Sequence, residues 1–146
     1  SAFDSAFIKA RGVAKLILQG LLSECRALVF AERIVKEVYE ASRDKKIIFF
    51  DKSILWQEFL NKYPEPIYVV EPGSGGDEYK VSCVRDNPNG FVNRKNLPQE
   101  WAGKRGQALA ELTGVWDAVF CHNKRFVAYA KSKEGAMKLA EVALQS

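Results

Sequence analysis

The chain has 146 residues, carries 22 Lys and Arg against 18 Asp and Glu for a formal net charge of +4, and is 47% apolar. These values fit one globular domain long enough to bury a core, and exclude disordered, collagen-like and coiled-coil classes. No apolar run approaches the roughly 20 residues a membrane helix needs, and the N-terminus lacks the basic, apolar and small-residue layout of a signal peptide, so no membrane partner is expected.

Phe3 to about Arg43 reads as helix, with apolar residues recurring at Phe3, Phe7, Ala10, Ala14, Ile17, Leu21 and Cys25, then at Leu28, Ile34, Val35, Val38 and Tyr39. One unbroken helix of that length would run about 60 Å and overhang a domain of this size. Gly20 followed by Ser23 predicts a break into two helices, with Ser23 as the second N-cap. The first is apolar on more than one stripe (Phe7, Ile8, Val13, Leu16, Ile17, Leu18, Leu21, Leu22), so it wants cover on two sides. It is either a central core helix or a helix placed between this domain and another subunit or lobe.

Lys46–Asp51 predicts a buried strand, and Ser53 the cap of a short helix through Asn61, with Asp51 either facing solvent or assisting the cap. Strands follow at Ile67–Glu71 and Tyr79–Arg85, joined by the Pro-Gly-Ser-Gly-Gly-Asp hairpin. That glycine-rich loop lacks the Gly-Lys-Ser/Thr continuation and the helix of a phosphate loop. Pro98 opens a helical turn through Trp101, and Gly106–Leu112 is a helix stopped by Gly114. Ala118–His122 and Phe126–Ala130 form a hairpin, and Ser132 caps a last helix to about Leu144. The expected fold is α+β: two N-terminal helices, then a five-stranded, largely antiparallel or mixed sheet with helices packed on it. Residues 1–45 form the helical segment and 46–146 the α+β lobe, together one domain.

Scarce residues narrow the chemistry. Cys25, Cys83 and Cys121 are odd in number and widely spaced, which argues against a disulfide framework, a cysteine zinc site and an oxidising compartment. His122 is the sole histidine, and its neighbour Cys121 would point to the opposite side of a strand, so a Cys-His couple is not expected. No set of carboxylates suggests a metal-dependent hydrolase. Alone, the chain reads as inactive.

The charge is local. Residues 1–90 nearly cancel, whereas Phe91 to Lys133 holds Arg94, Lys95, Lys104, Arg105, Lys124, Arg125, Lys131 and Lys133 against Glu100, Glu111 and Asp117. Lys131-Ser132-Lys133 at the start of the last helix reads as a phosphate site, with His122 nearby as a further donor. Trp101, Phe120 and Phe126 are expected in the core, leaving Tyr129 as the best exposed ring for base stacking.

Three blocks carry a family resemblance: Ile47–Phe59 (IIFFDKSILWQEF), Asn93–Gly103 (NRKNLPQEWAG) and Phe120–Leu139 (FCHNKRFVAYAKSKEGAMKL). In order and spacing they resemble the C-terminal half of the melanocyte-proliferating-gene family, once labelled metal-dependent protein hydrolase, in the DHH phosphoesterase superfamily. The resemblance implies a two-lobed RNA exonuclease of nuclear, nucleolar or mitochondrial setting. Its manganese- or magnesium-type metal would sit in an N-terminal lobe bearing an Asp-His-His motif that this sequence lacks. The chain would then be the substrate-binding lobe, with that N-terminal lobe and single-stranded RNA or a nucleotide phosphate as partners and no cofactor of its own. Implied substrate contacts are Asn93, Arg94 and Lys95, then His122 and Lys131, Ser132 and Lys133, with Arg105 adding to the basic surplus. Where relatives tend to carry Gly-Phe-Ile-Gly-Gly, this chain has Arg125-Phe126-Val127-Ala128-Tyr129, so side chains of Arg125 and Tyr129 would replace a glycine-lined phosphate contact. The alternative is a stand-alone interaction or homodimerisation module built on the apolar N-terminal helices.

Overall fold

A computed structural model describes residues 1–146. Its first element corrects the sequence expectation. Helix α1 runs unbroken from Ala2 to Ala41, through both Gly20 and Ser23. A single interior glycine costs about 1 kcal/mol relative to alanine, too little to end a helix this regular in pattern. Ser1 and Asp4 close a capping box at its start. At 40 residues it is about 60 Å long and does overhang the domain. Only Ala31 and Val35 are buried; every residue from Ser1 to Phe30 is exposed.

The docked end of α1 is fastened by its last turns. Tyr39 stacks on Tyr63 with centroids 3.8 Å apart and donates from its hydroxyl to Glu65 at 2.8 Å. Lys45 reaches back to donate to the carbonyl oxygens of Tyr39 and Glu40 in the last turn, adding to the bond that the Ser42 N–H makes to Tyr39.

The lobe that follows contains β1 (Ile47–Phe49), α2 (Gln57–Leu60), β2 (Tyr68–Pro72), β3 (Tyr79–Cys83), a 3₁₀ turn (Gln99–Trp101), α3 (Gly106–Thr113), β4 (Ala118–Cys121), β5 (Val127–Ala130) and α4 (Lys133–Gln145). The five strands form one mixed sheet in the order β1-β2-β3-β5-β4. β1 and β2 are parallel; the other three pairings are antiparallel. The α+β expectation holds. The helix expected over 53–61 shrinks to Gln57–Leu60, whose N-cap is Trp56 without a side-chain bond, so Ser53 does not cap it, and Asp51 faces solvent. No helix is long and apolar enough to cross a membrane.

Two apolar layers sandwich the sheet unequally. On one face α4 lies against Tyr68, Val70, Val81, Cys83, Ala118, Cys121, Ala128 and Ala130, and Trp101 and Leu109 complete that core. On the other face α1 and α2 cover only the β1–β2 side, through Val35, Trp56 and Leu60 over Ile48, Val69 and Val84. The β3-β5-β4 side of this second face has no helix on it.

Candidate functional site

The side chains proposed from sequence divide between the two sheet faces. The Lys131–Lys133 turn lies at the start of α4. Ser132 caps that helix as expected, accepting from the Gly135 N–H at 2.9 Å. The anion at this helix start, however, is the chain's own. Buried Asp117 accepts from the Ser132 N–H at 2.9 Å and from its hydroxyl at 2.5 Å. The carboxylate presses so closely on Gly135 that any Cβ there would collide with it. A carboxylate at a helix N-terminus satisfies free N–H groups and the dipole, and leaves no room for a phosphate. Lys133 turns over the ring of Phe49, 3.9 Å from its centroid. The helix start predicted as a phosphate site is therefore a structural lock centred on Ser132, to which Lys131 contributes its backbone N–H, bonded to the Asp117 carbonyl.

Arg94 and Lys95 are also committed to the fold. Arg94 donates to the carbonyl oxygens of Tyr63 and Pro66, each at 2.8 Å, and of Asn61 at 3.3 Å. It ties together the loop between α2 and β2. Lys95 caps the far end of α4, donating to the Leu144 carbonyl at 2.9 Å. Arg125, the one non-glycine residue with positive φ (59°), sits in the β4–β5 turn and donates to the Leu97 carbonyl at 3.3 Å. Buried carbonyls need donors, and these cations supply them.

The uncovered sheet face gathers the remainder. Strand alternation places Lys80, Ser82, Val127, Tyr129 and Phe120 on it, since Lys80 pairs with Tyr129, Ser82 with Val127, and Tyr129 with Phe120. A bulge at Val119 lets Ala118 and Cys121 both face α4 while Phe120 faces out. The backbone of Arg105 bridges to Phe120, and its guanidinium lies 4.2 Å from the Phe120 centroid. Phe120 packs beside Tyr129 at 6.5 Å with nearly parallel rings, and meets His122 edge-on at 6.2 Å. His122 in turn lies 4.6 Å from Phe126. Phe126 is 42% exposed. Phe126 is thus a surface aromatic and Phe120 is half-buried at the open face; of the three rings expected inside, only Trp101 is buried. The residue run Arg125-Phe126-Val127-Ala128-Tyr129 alternates in use: Phe126, Val127 and Tyr129 belong to the open face, and Ala128 to the core.

A groove of about 490 Å³ opens on this face, lined by Trp56, Lys80, Ser82, Arg85, Asn93, Phe126 and Tyr129 among others. Behind it, buried Glu71 accepts from the Trp56 indole at 2.9 Å and pairs with Lys80 at 3.1 Å.

Nothing here fits a catalytic metal. No three His, Cys, Asp or Glu side chains converge, and the two buried carboxylates, Glu71 and Asp117, already hold structural partners. Cys121 and His122 point apart: Cys121 is fully buried under α4, whereas His122 accepts from the Lys124 N–H through Nδ1 at 3.1 Å. Burial pushes the Cys83 thiol up to about 12 and that of Cys121 up to about 11, so neither is a nucleophile near neutrality.

Comparison with known proteins gives the family. The family model described as an uncharacterised protein family (UPF0160), the MYG1 exonuclease model, matches residues 1–144. The chain belongs to the MYG1 family. It is 30% identical over 124 residues to a MYG1 protein of Dictyostelium discoideum, covering 80% of this chain and 36% of that protein. It is 27% identical over 126 residues to the MYG1 exonuclease of Homo sapiens (82% and 33%). With a MYG1 protein of Saccharomyces cerevisiae it shares 28% identity over 155 residues (98% and 46%). The chain thus spans between a third and a half of the length of these relatives. No solved structure matches.

Of the residues that the sequence of this MYG1-family chain singles out, Asn93, Arg105, His122 and Tyr129 lie on or beside the open face. Sequence reasoning missed Trp56, Lys80, Ser82 and Arg85. The pattern was available for two of them: in Tyr79-Lys80-Val81-Ser82-Cys83 the polar residues alternate with the apolar ones. A strand with one polar face is half-covered, which is the signal for an open sheet surface.

Proposed function

We propose that this chain is the C-terminal, substrate-binding lobe of a DHH-type, metal-dependent RNA exonuclease. The open sheet face holds single-stranded RNA, and the metal centre, of manganese or magnesium, lies in the N-terminal lobe of the same protein. Support comes from one observation above the others: a row of cation and aromatic side chains, Arg105, Phe120, His122, Phe126 and Tyr129, on the one part of the sheet that no helix covers. Stacking platforms flanked by cations are how proteins hold unpaired bases and their phosphates. Relatives named as exonucleases support the nuclease part of this reading.

The test is binding of a fluorescent single-stranded RNA to this chain at several salt concentrations. Affinity should fall with salt, and Tyr129→Ala should weaken it about tenfold, as loss of one stacking ring does. Binding that is insensitive to salt and to Tyr129→Ala overturns the reading.

A second reading is favoured by α1. Its exposed length carries Phe3, Phe7, Ile8, Val13, Leu16, Ile17, Leu18, Leu21, Leu22, Val29 and Phe30. The stripe Phe3-Phe7-Ala10-Ala14-Ile17-Leu21-Leu28 continues directly into docked Ala31 and Val35. In the first reading the N-terminal lobe covers this stripe. As an interaction module, the chain would instead pair with a second copy, and sedimentation would show a dimer whose apolar-stripe variant Leu21→Asp is monomeric.

A further inference from the structure

We propose that the groove beside α2 binds one nucleotide unit, with Arg85 on its phosphate and Phe126 and Tyr129 on its base. This inference rests on the nucleic-acid reading above and assigns it a particular subsite.

The groove has the size of a small-ligand site, about 490 Å³ against roughly 300–1,000 Å³ for such pockets. Its lining holds two cations, Lys80 and Arg85, and no carboxylate. The two cations are not equivalent. Lys80 is paired with buried Glu71, so its charge is largely spent. Glu71 also takes the indole N–H of Trp56, and this three-way contact fixes the groove wall in place without ligand. Arg85 has no carboxylate partner; it is exposed, with its guanidinium 5.7 Å from the Phe91 centroid. One free guanidinium is suited to one phosphate, which it can grip in bidentate fashion.

The remaining groups suit a base. Phe126 and Tyr129 offer ring faces at the groove wall. Phe126 packs against His122 at 4.6 Å, and Tyr129 beside Phe120 at 6.5 Å, so stacking on them orders little that is loose. Asn93 spends its amide N–H on Asn96 at 2.7 Å, which leaves its own oxygen to accept from an exocyclic amine. A rigid, aromatic, carboxylate-free groove with a single free guanidinium selects a flat ring carrying one phosphate over a bare anion or an apolar ligand. Free mononucleotides and the end of an RNA strand share that chemistry.

The experiment titrates this chain with adenosine monophosphate, adenosine, inorganic phosphate and a ten-nucleotide oligoadenylate. Adenosine monophosphate should bind more tightly than either adenosine or phosphate. Arg85→Ala and Phe126→Ala should each weaken it about tenfold, Arg85→Lys should recover part of the loss, and Lys138→Ala, on the far side of α4, should change nothing. Both altered side chains are exposed, and an unchanged unfolding midpoint confirms that each variant is folded. If the strand end occupies the groove, adenosine monophosphate competes with the oligomer; if only free nucleotide does, the two bind independently. Absence of adenosine monophosphate binding, or binding indifferent to Arg85→Ala and Phe126→Ala, overturns the proposal. Oligomer binding that persists with salt dependence and sensitivity to Arg105→Ala would then leave the broader RNA reading standing. Adenosine monophosphate binding with no oligomer binding would do the reverse.

Discussion

The two faces of this sheet use the same residue types for opposite ends. Under α4, charged groups are consumed: Asp117 fills the helix start, and Lys95 caps the helix end. On the β3-β5-β4 side of the other face, Arg105 stacks on a ring that stays at the surface, and Arg85 has no carboxylate partner. Position alone does not mark a ligand-binding cation: Lys80 lies on a strand's polar side and is still paired, with Glu71. Whether its neighbours can satisfy it decides the matter.

The sharpest way to break that contrast is at Asp117. Asp117→Ala strips the Ser132 N–H and hydroxyl of their acceptor inside the protein. Two charge-assisted bonds are lost and both Ser132 donors are left without an acceptor, so unfolding in urea should show a loss of about 3 kcal/mol. RNA affinity of the folded fraction should stay the same. A variant of native stability that gained phosphate affinity would instead make the α4 start a ligand site.

Arg94→Ala comes next. Three backbone carbonyls, those of Asn61, Tyr63 and Pro66, lose their donor, and a drop of about 2 kcal/mol is expected. The effect belongs in the urea midpoint, not in the salt dependence of binding. Arg105→Ala should behave in the opposite way. Its unfolding midpoint should hardly move, because the side chain is exposed and its ring contact is worth only about 0.5–1 kcal/mol. Its RNA affinity should fall several-fold, with the salt slope reduced by about 1.

Much of the fold was legible because local rules and tertiary packing agree. The alternation in Tyr79–Cys83, the glycine-rich hairpin and the Ser132 cap each follow from residues a few positions apart. α1 was misread for the converse reason. Nothing within this chain covers residues 1–30, so its apolar stripes say that a partner is needed but not where, and an overhanging helix contradicts only the assumption that one domain must be compact. The Lys131–Lys133 turn was misread because its competitor, Asp117, is fifteen residues from Ser132 and arrives by the path of β4 and β5. Phe126 was misplaced because an aromatic residue at a strand end looks the same whether a helix covers that face or not.

The contrast can be read within a single strand, at the smallest energetic cost. Cys83 is buried in the core under α4 although it borders the groove, and its neighbour Ser82 lines that groove from the strand's polar side. Burial holds the Cys83 and Cys121 thiols at about 12 and about 11, above their ordinary 9.0. At pH 8 both are thiols shielded from reagent, while Cys25 on α1 is exposed. The native chain should therefore show one fast-reacting thiol toward a disulfide reagent, and Ser82→Cys should show two. Because the folded values are raised, the stability tied to the buried thiols is intact below pH 9 and declines as pH climbs through 11. Labelling at pH 8 thus samples the native state. A Ser82→Cys variant that still gave one fast thiol would mean that the open face is covered in solution, and the RNA surface would have to be sought elsewhere on the molecule.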